Sequence, residues 1–190
     1  MKEIRLLDKS VYELIAAGEV IDRPASLVKE LVENSIDAGA KSITVEIKSG
    51  GISFIRITDD GVGIPFEQCP TAFLRHATSK VREREDLERI GTLGFRGEAL
   101  ASVAAIARVS LLSKTVDDNL GTSFKIEGGE ILEHTQAGCP DGTTLIIRDL
   151  FFNTPARFKF MKSDRAEGSG VASVSLGVYT KSIIVWPPGT

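Results

Sequence analysis

A helix able to bury only one side, followed at once by a strand able to bury only one face, restricts this chain more than any other feature. In LVKELVENSIDAG (27–39), each residue advances about 100° around a helix, which gathers Val28, Leu31, Val32 and Ile36 on one side. Glu30, Glu33, Asn34 and Asp37 gather on the other. In SITVEIKSGG, Ile43, Val45 and Ile47 alternate with Thr44, Glu46 and Lys48, and Gly50-Gly51 turns the chain into a partner strand, ISFIRIT. One-sided elements of both kinds bury each other when a layer of helices covers one face of a sheet.

The remaining segments extend that plan. SVYELIAAGEVID (10–22) and residues 26–38 read as two helices around Arg23-Pro24, with Gly39 as the stop. FEQCPTAFLRH (66–76) is helical at least after Pro70. ATSKVREREDLERIGTLGFRG (77–97) has no clean periodicity and reads as a long loop holding a charged helical turn. Loops of this length inside a domain are usually functional. GEALASVAAIA is a small-residue helix. ARVSLLSKT, GTSFKIEGG and TTLIIRDL are strands, and FFNTPARFKFMK is aromatic and basic. RAEGSGVASVSLGVYTKSIIVWPPGT is rich in glycine and serine before a strand-like YTKSIIVW; a final edge strand and a tail both fit it. The order predicts an α+β two-layer sandwich, with helices on one face of a mixed, mostly antiparallel sheet.

Several classes drop out. No apolar run approaches the about 20 residues that span a bilayer, and MKEIRLLDKSVYEL lacks the apolar core of a signal peptide. The expectation is an intracellular protein without a membrane partner. Cys69, Cys139, His76 and His134 have no zinc spacing. A formal charge of −3 gives no global attraction to nucleic acid.

Three short stretches carry chemistry. Glu30 and Asn34 are one turn apart on the helix. The Asn34 amide oxygen is a hard ligand suited to Mg2+, and Glu30 beside it could orient and deprotonate a water; an acidic solvated face is the alternative. DDGVGI (59–64) places Asp59 at a strand end, where a carboxylate can accept a hydrogen bond from an exocyclic amine. Gly61 and Gly63 would clear side chains from the path of a flat ring, and a plain turn is the alternative. LGFRGEAL (93–100) opens a helix from a glycine-containing loop, so free N–H groups and the helix dipole could hold an anion; a glycine-punctuated cap is the alternative. GTT (142–144) adds hydroxyls at a strand start. Together these describe a purine nucleoside triphosphate site. No Walker A and no G-x-G-x-x-G motif occurs.

E-x-x-x-N from Glu30 to Asn34, D-x-G-x-G from Asp59 to Gly63, G-x-R-G-E-A-L from Gly94 to Leu100, and GTT resemble the motifs of the GHKL ATPases. That superfamily holds gyrase-type topoisomerases, ninety-kilodalton heat-shock chaperones, sensor histidine kinases and the MutL proteins. IAAGEV, RPASLVKELVENSIDAGA, RHATSK, LGFRGEALAS and FFNTPAR are similar to the MutL family of DNA mismatch repair, over about residues 1–165. The resemblance implies the GHKL (Bergerat) ATP-binding fold, ATP and Mg2+ as cofactors, Glu30 as the base for water, and Asn34 as the Mg2+ ligand. It implies an adenine contact at Asp59 with Thr143 nearby, and further nucleotide contacts at Asp37, Ala38, Gly61, Gly63 and Ile64. It makes 77–97 a lid, with Thr78, Ser79, Lys80, Leu93, Gly94, Phe95, Arg96, Gly97, Glu98, Ala99 and Leu100 closing over the phosphates. ATP would order that lid and drive dimerisation of two N-terminal domains.

It also implies ADP as product, DNA and the mismatch-recognition protein MutS as partners of the full-length protein, and a nucleoid-associated place in a bacterial cytoplasm. The family pattern departs after about Arg165: residues 166–190 read as a divergent tail or edge strand. The second ATPase subdomain, which supplies a lysine to the γ-phosphate, and the C-terminal dimerisation region are absent from the pattern. An ATPase and a nucleotide-binding switch with negligible turnover are therefore both readings; a histidine kinase or chaperone is disfavoured by RHATSK and FFNTPAR. In ARFKFMKSDR (156–165), Arg157, Lys159 and Lys162 with Phe158 and Phe160 between them are candidate DNA contacts; an amphipathic edge with inward rings is the alternative.

Overall fold

The alternating residues 43–59 become the centre of a sheet. β1 (Ser42–Lys48) pairs antiparallel with β2 (Phe54–Asp59) through a 3-10 turn at Ser49–Gly51. The computed structural model describes residues 5–77, 97–178 and 182–186. After helices α1 (Lys9–Val20) and α2 (Pro24–Asp37) and this hairpin come a 3-10 turn (Phe66–Gln68) and the short helix α3 (Cys69–Ala72). α4 (Ala99–Ile106) leads into β3 (Arg108–Lys114), β4 (Gly121–Glu127), β5 (Glu130–Ala137) and β6 (Gly142–Arg148). α5 (Asp164–Val178) and β7 (Ser182–Trp186) follow. The seven strands run in the order β5-β4-β3-β6-β2-β1-β7, with every neighbouring pair antiparallel except β1 and β7. The α+β class, with its mixed and mostly antiparallel sheet, is as the patterning predicts.

Register explains the core. Val45 lies opposite Ile57, Ile57 opposite Leu145, Leu145 opposite Leu111, and Leu111 opposite Phe124. All five are buried, forming one apolar row across five strands on the face that the helices cover. α2 presents Val28, Leu31 and Val32 to the same core, and Pro24 starts it where a missing N–H costs nothing.

The structure departs from the sequence reading in four places. EILEHTQA forms β5, a strand the pattern did not mark; it is an edge with Ile131 and Leu132 exposed, so burial imposes no alternation on it. Residues 164–178, which showed no helical pattern, form α5, with Asp164 and Glu167 in the first turn and the Glu167 carboxylate accepting from the Lys162 N–H at 3.0 Å. The helix expected over 66–76 shrinks to one 3-10 turn and the four residues of α3. Glu33, on the polar side of the helical wheel, is only 4% exposed and pairs with the Lys29 ammonium at 2.9 Å. No helix among the described residues is long and apolar enough to cross a membrane.

Candidate functional site

Two residues along each strand from the apolar row, the inward-facing row turns polar. Asp59 lies opposite Thr143, Thr143 opposite Ser113, and Ser113 opposite Thr122. These positions sit at one end of the sheet, where Asp59 meets Ser35 near the C-terminal end of α2. Asp59 takes the inward position that Ile55 and Ile57 hold earlier in β2, so alternation itself buries the carboxylate. Its Oδ2 accepts from the Ser35 hydroxyl at 2.7 Å and its Oδ1 from the Gly61 N–H at 3.0 Å. Burial pushes the Asp59 pKa up, opposed by the donors at Ser35, Gly61 and the Thr143 backbone, and aided by the neighbouring charge of Asp60. Asp60 behaves in the opposite way: exposed, it accepts from the N–H groups of Ser42 and Lys41, and these hold its pKa below the usual value.

The loop after Asp59 closes tightly on the protein itself. A Cβ at Gly61 would stand 2.9 Å from the Ala38 Cβ and 2.9 Å from the Ala38 carbonyl, which already accepts the Val62 N–H at 3.0 Å. A Cβ at Gly63, where φ is +73°, would stand 2.2 Å from the Lys114 carbonyl oxygen. The Cβ directions of both glycines are thus occupied by protein. Both glycines permit backbone to close on backbone, and the closure fixes Asp59. The Ser113 hydroxyl completes the frame. It donates to the Gly142 carbonyl at 3.0 Å, lies 3.0 Å from the Thr143 hydroxyl, and accepts the Ile64 N–H at 2.8 Å.

The remaining expected site residues fall around this frame. Glu30, Asn34 and Asp37 are half-buried along α2, and Ala38 follows them at its C-cap. Gly97 (φ +60°), Glu98, Ala99 and Leu100 form the entry to α4, with the Glu98 carbonyl accepting the Ser102 N–H at 2.8 Å. His76 Nδ1 lies 3.5 Å from Glu98 Oε1, so the two flanks of the 77–97 segment meet. Thr78, Ser79, Lys80, Leu93, Gly94, Phe95 and Arg96 lie outside the described residues. Lys159 and Lys162 are exposed, and Phe160 is 74% exposed. Arg157 is different: its guanidinium lies against α1, where a Cβ at Gly18 would meet its terminal nitrogen at 2.0 Å.

Sequence reasoning missed Ser35 and Ser113, the two hydroxyls that hold this arrangement. A signal was present for each. Ser35 falls one heptad after Val28 on the apolar side of α2, and Ser113 follows Val109 and Leu111 on the inward face of β3. A buried polar side chain in an apolar stripe needs a partner, and Asp59, Gly142 and Ile64 provide it.

The model of the family described as histidine kinase-, DNA gyrase B-, and HSP90-like ATPase matches residues 23–135. The DNA mismatch repair protein MutL of Agathobacter rectalis is 56% identical over 92% of this chain, and that of Caldanaerobacter subterraneus subsp. tengcongensis is likewise 56% identical over 92%. The chain spans 27% and 30% of the length of those two relatives. Among solved structures, the Aquifex aeolicus MutL ATPase domain complexed with ADP superposes with a TM-score of 0.68 at 32% identity, over 90% of this chain and 62% of that one. The N-terminal domain of a DNA repair protein superposes with a TM-score of 0.75 at 31% identity, over 92% of this chain and 51% of that one.

Proposed function

The chain belongs to the histidine kinase-, DNA gyrase B- and HSP90-like ATPase family, with MutL as its nearest likeness among the relatives named above, and from that premise we propose that it is the ATP-binding module of a MutL-type mismatch repair protein. One observation carries the reading. Asp59, a buried carboxylate aligned by Ser35 and Gly61, stands at the end of β2 under the helix that bears Glu30 and Asn34. Such a carboxylate is built to accept from an exocyclic amine, and adenine carries one.

Glu30 is the base that takes a proton from the attacking water, and Asn34 offers its amide oxygen to Mg2+. Among the described residues no three acidic, histidine or cysteine side chains could cage a metal. A Mg2+ that enters with the triphosphate and draws most of its ligands from phosphate and water fits that sparse donor set. When bound, it would neutralise charge on the phosphates. The entry to α4, from Gly97 to Leu100, supplies N–H groups for those phosphates, and the 77–97 segment closes over them. In the whole protein the consequences are ATP-driven pairing of N-terminal domains, contact with DNA and engagement of MutS.

Titration with a non-hydrolysable ATP analogue, with and without Mg2+, followed by protease protection within 77–97, tests the reading. Saturable, Mg2+-enhanced binding that Asp59→Asn abolishes is expected. Binding unchanged by Asp59→Asn, or no binding, overturns it. Binding without phosphate release selects a nucleotide switch over an ATPase.

A further inference from the structure

α4 ends unusually. Helices commonly finish on a left-handed glycine that satisfies their last carbonyls, but the C-cap here, Ala107, is extended with φ −145°. The carbonyls from Ala104 to Ala107 are each taken instead by a donor from another part of the chain. The Gly129 N–H reaches the Ala104 carbonyl at 2.8 Å, and the Gly128 N–H reaches that of Ala107 at 3.4 Å, both from the β4–β5 turn. The Phe151 N–H reaches Ile106 at 2.8 Å, and the Asn153 side-chain amide reaches Ala105 at 2.8 Å, both from the segment after β6.

That segment, DLFFNTPAR, is held at a cost. Phe151 is fully buried with φ +70° and Asp149 has φ +52°, a region that residues other than glycine rarely adopt. Arg108 grips it from outside, pairing with Asp149 at 2.5 Å and lying 4.9 Å over the Phe152 ring. Asn153 Oδ1 is buried with no hydrogen-bond partner, so the amide is retained for one donated bond while its acceptor goes unused. Strain and an unsatisfied oxygen are both tolerated to present Asn153 Nδ2 to one helix carbonyl.

We propose that Asn153 is a positioning residue for phosphate recognition. Resting on the reading that α4 receives the phosphates at its entry, Asn153 sets from the opposite end where those N–H groups lie. An eight-residue helix is about 12 Å long. It moves as one body, so a carbonyl pinned at Ala105 fixes both its rotation and its advance toward the ligand. Asp59 belongs to β2, outside α4, and is left in place.

The test compares AMP with a non-hydrolysable ATP analogue on the full chain, because only the analogue's extra phosphates extend to α4. Asn153→Ala is expected to leave AMP affinity within about twofold and to weaken the analogue about tenfold, the equivalent of one hydrogen bond. Asn153→Gln, which keeps the amide donor, is expected to recover part of the lost preference. Equal weakening of both ligands, or of neither, overturns the proposal. Should Asn153→Ala not fold, Asn153→Ser is read by the same criterion. A native chain that binds AMP and the analogue equally removes the reading beneath the proposal, and the proposal with it. A native chain that prefers the analogue while the variants keep that full preference removes the proposal alone.

Discussion

Replacing Ser35 by alanine should destabilise the protein by an amount that depends on pH, and the dependence identifies what the hydroxyl does. Ser35 and Asp59 are 4% and 9% exposed, and the 2.7 Å bond between them is shielded from water. A hydrogen bond to a charged group contributes about 1.5–3 kcal/mol and one between neutral groups about 0.5–1.5 kcal/mol. Burial raises the folded pKa of Asp59 above its unfolded value of about 3.9, and the Ser35 hydroxyl resists that rise. Above the folded pKa the carboxylate is charged, so Ser35→Ala loses the stronger bond and costs about 1.5–3 kcal/mol. Below the unfolded pKa, Asp59 is protonated in both states, and the cost shrinks toward about 0.5–1.5 kcal/mol. Urea denaturation above the folded pKa and again below the unfolded one, in the native and Asp59→Asn backgrounds, measures both values. A cost independent of pH, or a pH dependence that survives in the Asp59→Asn background, would refute the assignment of the hydroxyl to the ionised carboxylate.

Glu30→Ala should lower phosphate release about 10²-fold or more while leaving analogue binding intact, the mark of a lost base; equal turnover in a side-by-side phosphate assay would remove that role. Gly63→Ala combines a side chain at φ +73° with a 2.2 Å approach to the Lys114 carbonyl. It should cost about 2–4 kcal/mol in urea denaturation, from backbone strain and overpacking together. Adenine nucleotide affinity should fall as pH drops through the raised pKa of Asp59, because the protonated form loses an acceptor. Calorimetric titration of the native chain across that range should show the fall, and an affinity independent of pH would remove Asp59 as the acceptor.

Where burial was one-sided, the chain could be read directly. Val45, Ile57, Leu111 and Phe124 meet in a row because each lies on the inward beat of its own strand, and that beat is written locally. β5 carries no such beat, since an edge strand with exposed Ile131 and Leu132 is held by backbone bonds that leave no mark on side-chain type. α5 was hidden by Gly168 and Gly170, residues of low helix propensity that read as loop, although the helix packs them toward Ile47 and Ala25. Glu30, Asn34 and Asp59 stood out because polar residues were grouped at intervals that chemistry requires. Ser35 and Ser113 did not, because a hydroxyl in an apolar stripe becomes meaningful only once the opposite element is known. Arg157 was grouped with Lys159 and Lys162 by charge alone, and only the fold brings it against Gly18 of a distant helix.

The two ends of the site are held by different means, and this predicts how substitutions should sort. Around Asp59, the groups that hold the carboxylate are already paired: Ser35 and Gly61 donate to it, and Ser113 bonds both Ile64 and Gly142. A base arriving there meets a preorganised carboxylate, so little of its binding energy goes into rearrangement. At the other end, α4 is fixed by bonds at its C-terminal carbonyls, about a helix length from the amides that would meet phosphate. A change at Ser35 or Asp59 therefore alters affinity for all adenine nucleotides by a similar factor. A change in the Asp149–Arg157 segment alters discrimination by phosphate number instead. The same fold thus separates recognition of the base, fixed within the sheet, from recognition of the phosphates, fixed through a helix held from behind.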